Sequence, residues 1–325
     1  MAKRIAVMTT GGDACGMNSA IRSVVRTAIS QGIDVYGVEE GLHGLLNNRL
    51  IPMDLSSVGG IINRGGTILK TVRSKDFHDK SIRSTAYLNL EAAKIDGIVS
   101  IGGDGSRKGM YTITKETGIP SVFVPASIDN DVSGTDITIG FDTAVNVALD
   151  AVDKIRDTAA SHERIFIVEV MGREHGFLAL EVGLTGGAEI ILIPELKEEM
   201  NVEKMANLLN SGIKRGKKSS IIVMAEGVGP SADLADKIEK ATGMETRLTV
   251  LGYIQRGGTP TAYSRKLGLV FGYEAVMALK GLKRGESRMT AISSGSVKIH
   301  DTKDFVNRQK KIDMKLYKMN SVFSL

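Results

Sequence analysis

At 325 residues, 42% of them apolar and 24% charged, the chain is longer than one hydrophobic core comfortably serves, so two domains of roughly 150 residues each are expected. No run reaches the roughly 18 apolar residues of a membrane span, and Met1-Ala2-Lys3-Arg4 leads straight into the strand-like Ile5-Ala6-Val7-Met8, so neither a membrane anchor nor a targeting peptide is expected. A single cysteine, Cys15, rules out internal disulfides and thiolate clusters and fits a reducing cytoplasm, while the excess of 42 basic over 37 acidic residues suits anionic ligands without choosing among them.

In chain order, Val- and Ile-rich runs alternate with segments of helical period. A strand over 4–10 precedes a helix near 17–31; a strand over 97–101, a helix near 107–117, a strand over 121–124 and a helix near 143–159 follow. The alternation continues with a strand over 164–170, a helix near 177–185, a strand over 190–193 and a helix near 202–214. It closes with a strand over 220–224, a helix near 231–242, a strand over 246–251 and a helix near 262–279. This is the pattern of parallel βαβ units: an α/β fold with helices on both faces of its sheets. The basic stretches Arg215-Gly216-Lys217-Lys218 and Arg308-Gln309-Lys310-Lys311 lack interleaved aromatic residues and read as solvated helix ends, not as a nucleic-acid surface. His43, His78, His162, His175 and His300 show no metal-ligand spacing.

Open α/β sheets place ligands beyond the carboxyl ends of their strands, and there the sequence turns polar and glycine-rich. The segments are Gly11-Gly12-Asp13, Gly102-Gly103-Asp104-Gly105-Ser106, Ser127-Ile128-Asp129-Asn130-Asp131, Met171-Gly172-Arg173, Glu226-Gly227 and Gln255-Arg256-Gly257-Gly258. Glycine turns between a strand and a helix let backbone N–H groups approach an anion closely, and two of them point to a polyphosphate. Neither matches a Walker A loop or the dinucleotide G-x-G-x-x-G pattern. Asp104 is a carboxylate where a phosphate should sit, which a bridging Mg²⁺ makes tolerable. The alternative reading of Asp104 alone is a helix cap, and Asp129 with Asp131, taken alone, reads as an Asx turn. Beside two glycine turns, that carboxylate pair is equipment for phosphoryl transfer, one member accepting a hydroxyl proton and the other helping the metal. Arg73, Arg164, Arg173, Arg247 and Arg256, at strand ends or in adjacent loops, exceed the need of one phosphate and point to two phosphate-bearing ligands.

Together these residues resemble the bacterial ATP-dependent 6-phosphofructokinases. The resemblance is carried by Gly11-Gly12-Asp13-Ala14-Cys15-Gly16-Met17-Asn18, Gly65-Gly66-Thr67, Gly102-Gly103-Asp104-Gly105-Ser106 and residues 127–142, and by Ser161-His162-Glu163-Arg164, Met171-Gly172-Arg173 and residues 245–258. It runs from about residue 3 to residue 280, and the last forty-odd residues match poorly. It implies two similar three-layer αβα domains with mostly parallel, doubly wound sheets. Residues 1–140 with about 254–303 would form the larger, ATP-binding domain, and 141–253 with about 304–325 a smaller domain carrying sugar-phosphate and subunit contacts. The implied reaction moves the γ-phosphate of ATP to the 1-hydroxyl of fructose 6-phosphate, giving fructose 1,6-bisphosphate in glycolysis, in the cytoplasm.

By the same resemblance Gly12, Arg73, Ser74, Gly103, Asp104, Gly105 and Ser106 hold ATP, with Asp104 on Mg²⁺. Asp129 is the base, Ser127 and Asp131 stand beside it, and Arg173 stabilises the transferring phosphoryl group. Met171, Gly172, Glu226, Tyr253 and Arg256 hold the sugar, while Arg164 and Arg247 come from a neighbouring subunit, so a homotetramer is implied. Family members using pyrophosphate tend to carry Asp in place of Gly105 and Lys in place of Ala126, so this chain favours ATP. An effector site for ADP or phosphoenolpyruvate is implied by Arg22, Arg26, Arg156, Glu189, Arg215 and Lys217. Leu55 and Gly59-Gly60 depart from it, where an arginine and a Ser-Asp pair are common, and weakened or altered regulation is expected.

Four further departures fall in the site. Cys15 replaces a proline and reads as a small turn filler, the alternative being a redox thiol activated by a helix N-terminus. Ala126-Ser127 replaces Gly-Thr, Leu42 an aromatic residue, and Tyr253 a histidine. Two other classes of function share parts of this pattern. A nicotinamide-dependent oxidoreductase shares the sheet but needs the missing dinucleotide fingerprint, and a nucleic-acid-binding sugar-phosphate sensor would not require Asp104 and Asp129 together. Within the kinase reading, tagatose 6-phosphate is the alternative acceptor, and a paralogue of low activity the other alternative.

Overall fold

The structure, a computed structural model, describes residues 2–72, 74, 77, 79–162 and 164–324, and of Ala160 and His162 the backbone alone. In chain order its first elements are β1 (Arg4–Thr10), α1 (Met17–Ser30), β2 (Asp34–Val38), α2 (Gly41–Leu46), β3 (Leu50–Met53) and α3 (Lys80–Ala92). There follow β4 (Gly97–Gly102), α4 (Asp104–Thr117), β5 (Ser121–Pro125), α5 (Phe141–His162), β6 (Ile165–Val170), α6 (Phe177–Thr185), β7 (Ile190–Leu192) and α7 (Val202–Lys214). The last are β8 (Ser220–Ala225), α8 (Ser231–Thr242), β9 (Thr246–Val250), α9 (Ala262–Leu279), β10 (Ser287–Ser293), β11 (Ser296–Asp301) and α10 (Met314–Phe323). The chain divides into two compact units, Met1–Thr143 with Arg256–Lys310, and Ala144–Gln255 with Lys311–Leu325.

In the first unit the strands lie in the order β11-β10-β5-β4-β1-β2-β3. Pairing is parallel from β10 to β2, and antiparallel where β3 joins β2 and β11 joins β10. The chain leaves β1 toward β2 and then returns to lay β4 on the other side, so the order reverses between β1 and β4. At such a switch point the flanking helices diverge and open a crevice for ligands. Ile5 to Thr10 and all of β4 and β5 are buried, as strands covered on both faces must be. Core residues on one side are Ala6, Met8, Ile98, Met110 and Ile113. Ser23 Oγ of α1 donates to the Leu269 carbonyl of α9 at 2.6 Å, tying the two helices together.

The second unit has an all-parallel sheet in the order β7-β8-β6-β9. Ile165, Ile167, Ile222 and Met224 pack with Leu209 of α7 and Ile238 of α8. Asn201 starts α7 by accepting from Lys204 N at 2.9 Å, and Gly243, left-handed, ends α8.

Two expectations change. The pattern read as parallel up to residue 279 is interrupted by β3, which runs antiparallel because only a short connection through α2 separates it from β2. Arg308–Lys311 is not a helix end, and Lys310 is half-buried with its Nζ donating to the Asp136 carbonyl at 2.8 Å.

Candidate functional site

The register of the first sheet ends three strands level, with Thr10 opposite Gly102 and Gly102 opposite Pro125. The turns that follow therefore adjoin. A Cβ on Gly11 would stand 3.0 Å from Ser106 Oγ, one on Gly103 would stand 3.9 Å from Ser127 Oγ, and Ala126 N donates to the Gly102 carbonyl at 2.8 Å. A Cβ on Gly12 would lie 2.5 Å from Arg256 Nη1, the far end of a flexible side chain, which donates to the Asp13 carbonyl at 3.1 Å. Gly11, Gly12, Gly103, Asp104, Ser106, Ser127, Asp129, Asp131 and Arg256 thus share one edge of one sheet. Arg73 lies outside the described residues, and Ser74, next to it, has a buried hydroxyl with no hydrogen-bond partner among them.

Asp104 opens α4 after Gly103, where a carboxylate suits the positive end of the helix. It does not cap the helix. Its Oδ1 accepts from Arg107 Nη2, and Lys108 Nζ lies 2.8 Å from its Oδ2. Burial pulls the Arg107 guanidinium below its usual pKa, while Asp104 and more distantly Asp131 oppose that shift. A Cβ on Gly105 would meet nothing within 4 Å, so the start of α4 faces open space there.

The loop after β5 is fixed by its own backbone. Ser127 N donates to the Ile139 carbonyl at 3.0 Å, Asp129 N to Ser127 Oγ at 3.1 Å, and Thr138 Oγ1 to the Ser127 carbonyl at 2.6 Å. Asn130 sits at φ 52, and its side chain accepts from Thr138 N at 3.1 Å. That left-handed residue between two aspartates is backbone strain held by the surrounding bonds, as functional loops commonly show. Asp129 is buried, and Asp131 Oδ1 is buried with no hydrogen-bond partner among the described residues. Lys310, facing Asp136 and Asp131, is pulled down to about 8 by burial, against the pull of both carboxylates.

Cys15 is buried beside the loop that carries Arg256. Its Sγ is within 3.4 Å of the carbonyls of Arg256, Gly257 and Gly258, three acceptors for one thiol proton. Burial pushes the thiol up to about 11, with Gly66 N–H opposing and Asp13 adding to it, so it is a neutral donor and not an activated thiolate.

In the second unit, the turn after β6 places Met171, Gly172 at φ 135 and Arg173 at φ 54. Glu226, just after β8, accepts from Arg173 N at 2.8 Å and so holds that turn. A Cβ on Gly227 would fall 1.9 Å from the Arg173 carbonyl oxygen, so only glycine allows the two turns to meet. Arg164 Nε and Arg247 Nη2 both reach the carboxylate of Glu245, a two-arginine fork closed on an internal anion. Tyr253 is 81% exposed and accordingly unpacked.

A family model described as phosphofructokinase matches residues 4–279. The chain belongs to the phosphofructokinase family. It is 50% identical over 325 residues to the ATP-dependent 6-phosphofructokinase 1 of Thermus thermophilus, covering 99% of this chain and all of that one. It is 48% identical over 324 residues to the ATP-dependent 6-phosphofructokinase of Shouchella clausii, with the same coverage. Among solved structures, phosphofructokinase from Saccharomyces cerevisiae superposes with a TM-score of 0.89 at 34% identity, over 99% of this chain and 48% of that one. A pyrophosphate-dependent phosphofructokinase from Marinobacter aquaeolei shares the fold, with a TM-score of 0.84 at 24% identity over 96% of this chain and 86% of that one.

For this family member the expected effector residues fall in two groups. On α1, Arg22 Nη1 donates to the Val58 carbonyl at 2.5 Å, and Arg26 is exposed one turn on. In the second unit Arg156 donates to the carbonyls of Gly186 and Gly187 at 2.6 and 2.9 Å, Glu189 pairs with Lys217 at 2.5 Å, and Arg215 is exposed at the end of α7. Three residues escaped the sequence reading: Arg107 and Lys108, which look like surface charges after a glycine turn, and Glu245. The two-residue spacing of Glu245, just before β9, and Arg247 within it was the available signal for the last.

Proposed function

We propose that this chain transfers the γ-phosphate of ATP to the 1-hydroxyl of fructose 6-phosphate, giving fructose 1,6-bisphosphate and ADP. One observation carries the reading: β1, β4 and β5 end level and deliver two glycine turns, Asp104 and Asp129 to a single edge at the switch point. Backbone N–H groups of Gly12 and Gly103 and the hydroxyl of Ser106 face the phosphates of ATP. The open space beside Gly105 leaves room for the rest of a nucleotide triphosphate. Asp129 accepts the proton from the sugar hydroxyl as its oxygen attacks the γ-phosphorus and the bond to the β-phosphate oxygen breaks. Ser127, whose oxygen already receives Asp129 N, keeps that carboxylate in place.

Mg²⁺ fits this edge. Among the described residues no cluster of three or more His, Cys, Asp or Glu forms a self-contained metal site. Mg²⁺ is commonly held by one or two carboxylates plus substrate phosphates, and Asp104, with Asp131, whose Oδ1 has no hydrogen-bond partner among the described residues, would supply that set. When bound it would neutralise charge on the transferring group.

From the second unit, Arg173 compensates the charge of the phosphoryl group, and Met171, Gly172 and Glu226 shape the sugar turn. Tyr253 and Arg256 join in holding the sugar, and the Arg164–Arg247 fork exchanges Glu245 for the 6-phosphate of a neighbouring subunit's sugar. A homotetramer working in the cytoplasm follows, checked by sedimentation. With Leu55 and Gly59-Gly60 departing from the effector set, the response to ADP and phosphoenolpyruvate is weak or altered; ordinary strong responses in sugar saturation curves would refute that. The central test is a coupled assay crossing ATP and pyrophosphate with fructose 6-phosphate and tagatose 6-phosphate. Asp129→Asn should lower turnover by about 10²–10⁴, and near-normal turnover would remove Asp129 from the role of base.

A further inference from the structure

Asp104 already has a cation on each oxygen: Arg107 on Oδ1 and Lys108 on Oδ2. The two cations differ in kind. Lys108 is 54% exposed, whereas Arg107 is completely buried. Arg107 also reaches across to the neighbouring loop, where Nη1 donates to the Ser133 carbonyl at 2.8 Å and to Ser133 Oγ at 3.1 Å. Ser133 Oγ in turn donates to the Phe305 carbonyl at 3.0 Å. One guanidinium therefore joins the start of α4 to the loop of Asp129 and Asp131. An ordinary i, i+3 pair on a helix surface does neither: it is solvated, and it ends at its partner. A guanidinium keeps its charge under all working conditions, so this positive charge beside Asp104 is permanent.

We propose that Arg107 is a positioning residue that acts as a built-in cation. With no nucleotide present it holds Asp104 in place of a divalent metal, so the metal enters with the nucleotide phosphates and not before them. This rests on the phosphoryl-transfer reading above. Arg107 keeps Oδ1 aimed while the exposed Lys108 can swing off Oδ2, which leaves one oxygen for an incoming metal–phosphate complex. A metal arriving alone must displace a cation and gains no phosphate oxygens, whereas one arriving on a triphosphate brings its own counter-charge. The same strut fixes the spacing between Asp104 and the Asp129 loop.

The probe is Mn²⁺ alone, titrated into the full chain without nucleotide and followed by the electron paramagnetic resonance of the free ion. The parent should show no saturable site. Arg107→Met should gain one saturable site, with an initial uptake slope at least about tenfold above the parent's, the size expected when one charge-assisted hydrogen bond no longer competes. Arg107→Met combined with Asp104→Asn should lose it, and Arg107→Lys, which keeps a charge, should behave like the parent. Lys108→Ala changes an exposed side chain and folds regardless; it should raise the initial slope of Mn²⁺ uptake about threefold over the parent's non-saturating uptake. A saturable Mn²⁺ site in the parent, or unchanged uptake in Lys108→Ala together with unchanged uptake or failed folding in Arg107→Met, overturns the proposal. Failure of phosphoryl transfer in the coupled assay would sink the functional reading while leaving the Mn²⁺ titration interpretable on its own.

Discussion

Gly227→Ala is the sharpest single perturbation of the second unit. The added methyl would lie 1.9 Å from the Arg173 carbonyl oxygen and 3.0 Å from Pro194 Cγ, where ordinary contact begins at 3.4 Å. The Arg173 oxygen must therefore retreat by about 1.5 Å, and it belongs to backbone, not to the end of a flexible side chain. Arg173 cannot yield freely, because it is held at φ 54 with its N–H on Glu226. Overpacking of this kind costs about 1–3 kcal/mol of stability. Displacing a charge-stabilising group by about 1 Å costs on the order of 10² in rate. Gly227→Ala should thus melt several degrees lower yet remain folded at 25 °C, with turnover at saturating ATP and sugar phosphate down by about 10². The assay is the coupled reaction beside a circular dichroism melt. Turnover within threefold of the parent would show that the turn after β6 does not position Arg173 for chemistry.

Gly105→Asp puts a carboxylate into open space at the start of α4, so folding should be unaffected while the KM for ATP rises about tenfold through repulsion of the nucleotide phosphates; an unchanged KM would move ATP away from Gly105. Cys15 has its thiol raised to about 11, above an unfolded value near 9, so its contribution to stability is complete below pH 9 and is lost as pH rises to 11. The stability gap between the parent and Cys15→Ala, from urea unfolding, should shrink by about 2–3 kcal/mol over that window. A gap that stays flat would mean the thiol is not held as a neutral donor.

The first sheet's central strands were legible because β1, β4 and β5 are buried on both faces and read as unbroken apolar runs. The segment from β2 to α3 was not. The helix α2 has six residues, and α3 buries only Ala86 and Leu90, too few to set up a helical period. β10 and β11 follow the last βαβ unit, and β11 is an exposed edge whose Ser-Val-Lys-Ile pattern buries nothing to announce it. The glycine turns and Asp129 stood out because ligand loops must lie beyond strand ends. Arg107 did not, since its burial depends on Ser133 and Phe305, which are distant in sequence and silent until the sheet is formed. Glu245 escaped because a carboxylate beside an arginine looks like any surface pair.

Strand β5 gains its outer neighbour only when Ser287–Met289 line up beside Ser121–Phe123. During synthesis the early strands therefore wait for more than a hundred residues, on the order of ten to thirty seconds at the ribosome's pace, with β5 offering bare N–H and C=O groups. A nascent chain truncated before residue 287 would carry that sticky margin permanently, so fragments ending there should aggregate or recruit chaperones where the 325-residue chain does not.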